Sequence, residues 1–357
     1  MAQKSKWVVI TGSGRSGTSS VGGTLKRLGL HIPQPEVEAD DKNPRGYYEP
    51  LWLAALLKDL LDPVPVRTID SRPHAAEVAG QAVAESDVED RLREWLRDLL
   101  VHPQVAIKDT RAYWVYGMFV RLADELGAEL TSLTMLRHPT EVVRSRDTAY
   151  LAERSEQFRQ ERETTNVAAW MNAAFETERV TRHHARAFVR YPDLRADWRA
   201  AMRRAGEQLG LSYNADLAVH EHHPVDDFID AELFRSRVTW DDIHVTPVLK
   251  EMAEQVWEAM NTLIDRPHDQ QAISELERLR GEYLDLYSFA AAMAQDERTA
   301  QVVAVRRELR ARLDRKQARI EELKAELQRT RETLPAADAR PNWQPIFQRA
   351  VDRLRRR

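Results

Sequence analysis

Short apolar runs recur along the first two hundred residues, each closed by a polar or glycine-rich stop and followed by a helical period. Residues 8–11, 105–109, 130–136 and 187–191 are too short for buried helices and predict strands. Between them, apolar residues spaced by three and four predict helices over 16–28, 51–61, 88–100, 113–126 and 140–150. A long helical region runs through 170–182, and a further helix ends near 209. Residues 33–48 are polar and proline-bearing and predict a long loop, a length compact domains usually reserve for function. Strands alternating with helices predict an α/β fold, with a parallel sheet covered on both faces. Ligands then bind beyond the carboxyl ends of the strands.

The pattern changes near residue 270, which divides the chain into an α/β domain (1–270), a long helical region (271–334) and a basic C-terminal helix (335–357). In the second, Leu309, Leu313, Ile320, Leu323, Leu327 and Leu334 approximate a coiled-coil seam, interrupted by Lys316 and Thr330. A helix packed back on the domain and a helix for homo-oligomer formation both fit. Beyond Pro335 and Pro341, an apolar stripe of Trp343, Ile346, Phe347, Val351 and Leu354 fits a docking helix better than peripheral contact with an anionic membrane.

Composition narrows the classes. A net charge of −4 argues against a general nucleic-acid binder. The absence of cysteine removes disulfides, thiolate nucleophiles and cysteine zinc sites. No run approaches the roughly 18 apolar residues of a membrane span. Residues 1–6 lead into the first strand without an apolar signal segment, so the expectation is a cytoplasmic protein.

Each predicted strand ends in chemistry. The first runs into Gly12-Ser13-Gly14-Arg15-Ser16-Gly17-Thr18-Ser19, a glycine turn opening a helix, which aims backbone N–H groups and the helix dipole at one anion. Gly12, Gly17 and Ser19 keep Walker A spacing, but Thr18 stands where that loop has its lysine. The basic residue is Arg15 instead, which suits a single 5′-phosphate carrying another group. The second strand ends in Lys108-Asp109-Thr110-Arg111, and the third in Arg137-His138-Pro139 with Ser145 eight residues on. The fourth ends in Arg190-Tyr191-Pro192-Asp193-Leu194. An arginine fork and a hydroxyl beside a second helix start form a candidate second phosphate site.

In this order the four strand ends resemble the sulfotransferases that use 3′-phosphoadenosine 5′-phosphosulfate (PAPS), close to the soluble bacterial members. Arg15 to Ser19 resemble that family's 5′-phosphosulfate loop, Arg137 and Ser145 its 3′-phosphate motif, and Tyr191 its adenine-contacting tyrosine. The resemblance spans roughly residues 6–265 and implies a P-loop-like sheet. It implies sulfuryl transfer to an acceptor hydroxyl, with Arg15 stabilising the bridging oxygen. Ser16, Gly17, Thr18 and Ser19 would hold the 5′-phosphate, and no metal would be required. Cytosolic members place a histidine two residues after the strand-two lysine, but that slot is Thr110 here. The candidate bases are therefore Glu49, which the position of a catalytic glutamate in other branches favours, and Asp109. Lys108 is a candidate to hold the transferring group. Ser20 replaces the adenine-stacking tryptophan of the best-known members, and Phe234, Arg235 and Arg237 are candidates to complete the 3′-phosphate site. Residues 33–50, 62–88, 146–165 and 220–245 are the expected walls of an acceptor pocket. Their charge suits a carbohydrate, glycolipid or other small hydroxylated metabolite. His220, Glu221, His222 and His223 read as a polar loop rather than a metal site. Two other readings stand beside this one: a P-loop phosphotransferase, and a non-catalytic scaffold with a degenerate loop.

Overall fold

The computed structural model describes residues 4–229 and 238–333. Four parallel strands, β1 (Lys6–Thr11), β2 (Gln104–Lys108), β3 (Glu129–Leu136) and β4 (Ala185–Arg190), lie in the order β2-β1-β3-β4. Central β1 pairs Trp7 with Val105 on one side and with Leu130 on the other. Its alternate residues serve opposite faces, because strand side chains alternate. Trp7 and Val9 enter one core, and Val8 and Ile10 enter the other. The Val8 and Ile10 face is covered by α1 (Thr18–Arg27), α9 (Trp198–Leu209) and α10 (Pro224–Phe228). The Trp7 and Val9 face packs α2 (Leu51–Leu61), α3 (Ala75–Ala84), α4 (Val88–Asp98) and α5 (Tyr116–Leu126). A third apolar cluster joins Phe188 of β4 to α6 (Pro139–Tyr150), α7 (Glu156–Thr181), α11 (Pro247–Asp265) and α12 (Gln270–Met293). This is the expected α/β fold, a parallel sheet flanked by helices.

The structure adds elements in stretches to which the apolar period assigned none. Helix α3 lies inside the 62–88 stretch, where its alanines blur the apolar period. Helix α7 starts at Glu156, well before 170, because its first turns are charged and capped by Ser155. Tyr191 starts a short helix, α8 (Tyr191–Ala196), so the tyrosine stands at the carboxyl edge of the sheet. The sequence reading put a boundary at 270; in the structure the first compact unit runs to Ser288. Leu276, Leu279 and Tyr283 of α12 are buried, and the Tyr283 hydroxyl donates to Ser71 O. In the second unit, α13 (Gln295–Thr333) carries Leu309, Leu313, Ile320, Leu323 and Leu327 exposed along its length. The remaining candidates, Phe234, Arg235 and Arg237, and the segment from Leu334 onward, lie outside the described residues. No helix among the described residues is long and apolar enough to cross a membrane.

One charge pair sits inside this core. Arg186 of β4 is fully buried, and its Nη1 donates to Glu178 Oε1 at 3.0 Å and to Glu178 O at 2.9 Å. Its Nε donates to Pro267 O at 2.8 Å, so the guanidinium ties β4, α7 and the turn before α12 together. Removing one partner strands the other charge in a dry environment. Glu178→Ala should therefore lower stability by about 3–5 kcal/mol, while Arg186→Met with Glu178→Leu should cost clearly less. Urea unfolding of the two variants checks this; equal losses would refute it.

Candidate functional site

The first strand feeds a loop whose shape depends on two glycines. Gly12 has φ of 123°, and a Cβ there would stand 2.6 Å from Met135 O. Gly17 has φ of 99°, and a Cβ would stand 2.3 Å from the Tyr191 ring, so the ring lies directly on the loop backbone. Arg15 adopts φ of 76°, unusual without glycine, and is held there by its neighbours. Arg137 Nη1 donates to Arg15 O at 3.1 Å, and Arg15 Nε donates to Ser145 Oγ at 3.0 Å. Ser16 is buried and closes the turn by donating to Ser13 O at 2.6 Å.

Helix α1 then begins with neither a side-chain cap nor an acid in its first turn. Its N-terminal amides and dipole are left for an external anion. Ser19 points the same way. Its Oγ receives hydrogen bonds from Asn43 Nδ2 at 3.0 Å and Lys108 Nζ at 3.2 Å, which leaves its own proton to donate.

Three cavities share Arg15 and Tyr191. The first, about 280 Å³, is lined by Gly17, Thr18, Ser19, Glu49, Lys108, Thr110, Arg137, Ser145 and Arg146. The second, about 540 Å³, adds Arg144 and Arg195 beside Arg137 and Ser145. The third, about 240 Å³, runs between Ser20, Pro44, Phe228 and Ile229. Arg137 stacks over Tyr191 at 4.9 Å while Glu141 takes its Nε at 2.9 Å, which fixes the fork. Around the first cavity Arg15, Lys42, Lys108, Arg137 and Arg146 face a single lining carboxylate, Glu49. A cation excess of this kind favours an anionic ligand.

Lys108 is only 1 % exposed, and its three donors are engaged: Glu49 Oε1 at 2.7 Å, Tyr47 O at 2.8 Å and Ser19 Oγ. It is a buried anchor rather than a solvated strand-end lysine. Burial pushes the Glu49 carboxyl above the usual carboxylate range, against the opposing pull of Lys108. Asp109 differs. Arg111 grips both its oxygens, Nε at 2.9 Å and Nη2 at 2.7 Å, and the Arg111 amide adds a bond at 2.8 Å. Asp109 therefore shapes the turn after β2 and does not line the cavity.

The cavities gather Arg15, Gly17, Thr18, Ser19, Glu49, Lys108, Arg137, Ser145 and Tyr191, while Ser16 supports the loop from beneath and Asp109 stays outside. Of the expected acceptor walls, Asn43 and Tyr47, Thr68, and Arg146 with Tyr150 line the first cavity. Sequence reading did not single out Arg146, Tyr47 or Phe228. The signal available for Arg146 was its place directly after Ser145. His223 caps α10 through Nδ1, and Trp170 and Trp198 are buried in the core. Among the described residues no group of three or more His, Asp or Glu is arranged to hold a metal. A larger cavity of about 570 Å³ lies apart, between α3 and α7, and its Glu176 is already paired with Arg179 at 2.6 Å.

No protein-family model matches the chain, and no curated protein matches it. Among solved structures it is similar to the sulfotransferase domain of the Synechococcus PCC 7002 olefin synthase. The identity is 17% and the TM-score 0.42, over 73% of this chain and 97% of that one. At that similarity the function has to be argued from the chain's own residues.

Gly17→Ala tests the loop. The new methyl must displace the Tyr191 ring and hold a left-handed φ, so anion affinity should fall while the sheet survives. Strain of this kind costs on the order of 1–3 kcal/mol. A Tm and a sulfate-binding measurement would show whether the alanine is instead accommodated.

Proposed function

We propose that the chain is a sulfotransferase that uses PAPS and acts on a hydroxyl acceptor. The observation that carries this reading is the junction of three cavities at Arg15 and Tyr191. It provides a lysine-free anion loop facing one carboxylate, Glu49, a separate arginine–serine anion site, and a pocket walled partly by Pro44, Phe228 and Ile229. A nucleotide with phosphates at both 5′ and 3′ positions matches that division. The loop amides of Ser16 to Ser19 and the Thr18 and Ser19 hydroxyls would hold the 5′ group, and Arg137, Ser145 and Arg144 the 3′-phosphate. The pocket between Ser20, Pro44, Tyr191 and Phe228 is the place for the base, in the absence of a tryptophan at Ser20. When bound, the donor supplies an electrophilic sulfuryl group.

The protein's part is positioning and charge. Glu49 accepts the proton of the acceptor hydroxyl as that oxygen forms its bond to sulfur. Arg15 places positive charge where the departing phosphate oxygen gains negative charge. Lys108 holds Glu49 in place and is a positioning residue. Asp109, with both oxygens on Arg111 and outside the cavity lining, is the weaker candidate. A phosphotransferase reading is disfavoured by Thr18 at the Walker lysine position and by the engagement of Lys108 with Glu49. The acceptor is a small hydroxylated molecule, a glycan or a glycolipid.

Calorimetry with 3′-phosphoadenosine 5′-phosphate (PAP) in EDTA should show tight binding, and ATP with magnesium should show none. The reverse result would make the chain a phosphotransferase. With labelled donor, Arg15→Ala should lower kcat by about 10²–10³. Glu49→Gln should lower kcat by roughly 10² or more. The base must be ionised, so wild-type kcat should rise with pH through the elevated Glu49 pKa and then level off. Glu49→Gln should lose that acid limb; an unchanged profile would exclude Glu49 as the base.

A further inference from the structure

The first cavity holds a cation that the donor does not account for. Arg146 of α6 is 9 % exposed, yet among the described residues it makes no hydrogen bond and no ion pair. Its guanidinium lies 5.6 Å from the Tyr150 ring, and its Nη1 sits beside Gly14 of the anion loop. A buried guanidinium without an acceptor is costly, and such groups are retained where a ligand supplies the acceptor. Nearby charge sharpens the point. Burial and the adjacent Arg67 and Arg162 push the Arg146 pKa down to about 10. Arg67, which is exposed, and Arg162, which is half-buried, have no side-chain hydrogen bond or ion pair among the described residues. The acids close by do not cancel them. Asp70 is held by Arg72 Nε at 2.9 Å and Nη2 at 2.7 Å. Burial and the neighbouring Glu163 raise Asp147 to about 7.

The position of Arg146 assigns the charge to the acceptor side. Successive helical residues point roughly 100° apart, so Ser145 and Arg146 leave α6 in different directions; both line the first cavity, and Ser145 alone also lines the second. Ser145 bonds Arg15 and borders the cavity that carries Arg144 and Arg195. Arg146 borders neither that cavity nor the one with Phe228, and lines the first cavity alone, where Glu49, Lys108 and Thr68 share its wall with the anion loop.

We propose that Arg146, flanked by Arg67 and Arg162, receives a fixed negative charge on the acceptor itself, so that the substrate is an acidic hydroxylated molecule bearing a carboxylate, phosphate or sulfate. The inference rests on the sulfotransferase reading and adds to it the acceptor's charge. The anion anchors the acceptor at one end of the cavity while its hydroxyl faces Glu49 at the other.

Inorganic sulfate is the probe. Equilibrium dialysis of radiolabelled sulfate is run with the full chain already saturated with PAP, in sodium chloride of constant ionic strength. Wild type should still bind sulfate. Arg146→Gln should bind it about tenfold or more weakly, the loss of one charge-assisted pair, with PAP affinity unchanged. Should Arg146→Gln fail to fold by circular dichroism, Arg162→Gln, at a half-buried position, replaces it and should weaken sulfate in the same direction. Glucuronate, glucose 6-phosphate and phosphatidylinositol vesicles are then tested for displacement of bound sulfate, with glucose as the neutral control. Displacement by the soluble acids identifies a free or glycan acceptor, and displacement by vesicles a lipid headgroup; either supports the proposal. Displacement by none of them beyond glucose overturns it, as does PAP-saturated wild type that ignores sulfate. A tenfold loss of PAP affinity in Arg146→Gln also overturns it, by giving the arginine to the donor. Failure of wild type to bind PAP defeats the sulfotransferase reading and takes the acceptor assignment with it.

Discussion

One buried ammonium group organises the site. Lys108 Nζ reaches from the end of β2 to the start of α1 through Ser19, and to the long loop through Tyr47 O and Glu49. A lysine this deep is tolerable only with every donor satisfied and a charge partner in contact. Those conditions fix three segments at once. The loop from 33 to 49 has no regular structure of its own, and it is pinned where Glu49 enters the cavity. The same bond that stabilises Lys108 orients the carboxylate, so removing the lysine would disturb the base and the anion loop together.

The surroundings of that pair are preorganised for negative charge. Arg15 keeps a left-handed backbone because Arg137 and Ser145 hold it. The Tyr191 ring lies against Gly17 and under Arg137, so loop and arginine fork are set by one aromatic plate. Without a bound anion these cations repel one another and lose hydration. The core must offset that cost, and does so with apolar strand faces packed on both sides of β1. A site held this way stabilises a polyanion without first reorganising to meet it.

Strand ends were the most legible part of the chain. The four strands, their parallel pairing and the clustering of Arg15, Ser19, Arg137, Ser145 and Tyr191 follow from apolar runs and from the rule that α/β sites lie at carboxyl edges. What was illegible is long-range. Helix α3 is alanine-rich and gives little period, and the start of α7 is charged enough to read as loop. Phe228 reaches the site only because α10 packs on α1 near Gly23. Arg146 looks like any surface arginine of a helix until α7 and the segment before α3 fold over it.

The contrast between Glu49 and Asp109 shows why neighbours matter more than spacing. Both lie beside Lys108, and Asp109 is its immediate neighbour in sequence. Yet a strand turns consecutive side chains to opposite faces, so Lys108 and its neighbour diverge. Asp109 meets Arg111, whose planar fork takes both oxygens and keeps them for the turn. Glu49 comes from another segment and meets Lys108 through one oxygen, and among the described residues the other oxygen makes no hydrogen bond. A carboxylate held at one oxygen and raised in basicity by burial retains a lone pair for a proton. A carboxylate held at both oxygens by a guanidinium is committed to the turn it shapes. The residue that sequence adjacency recommends is thus tied into the turn, and the one delivered by a distant loop is the one proposed as the base.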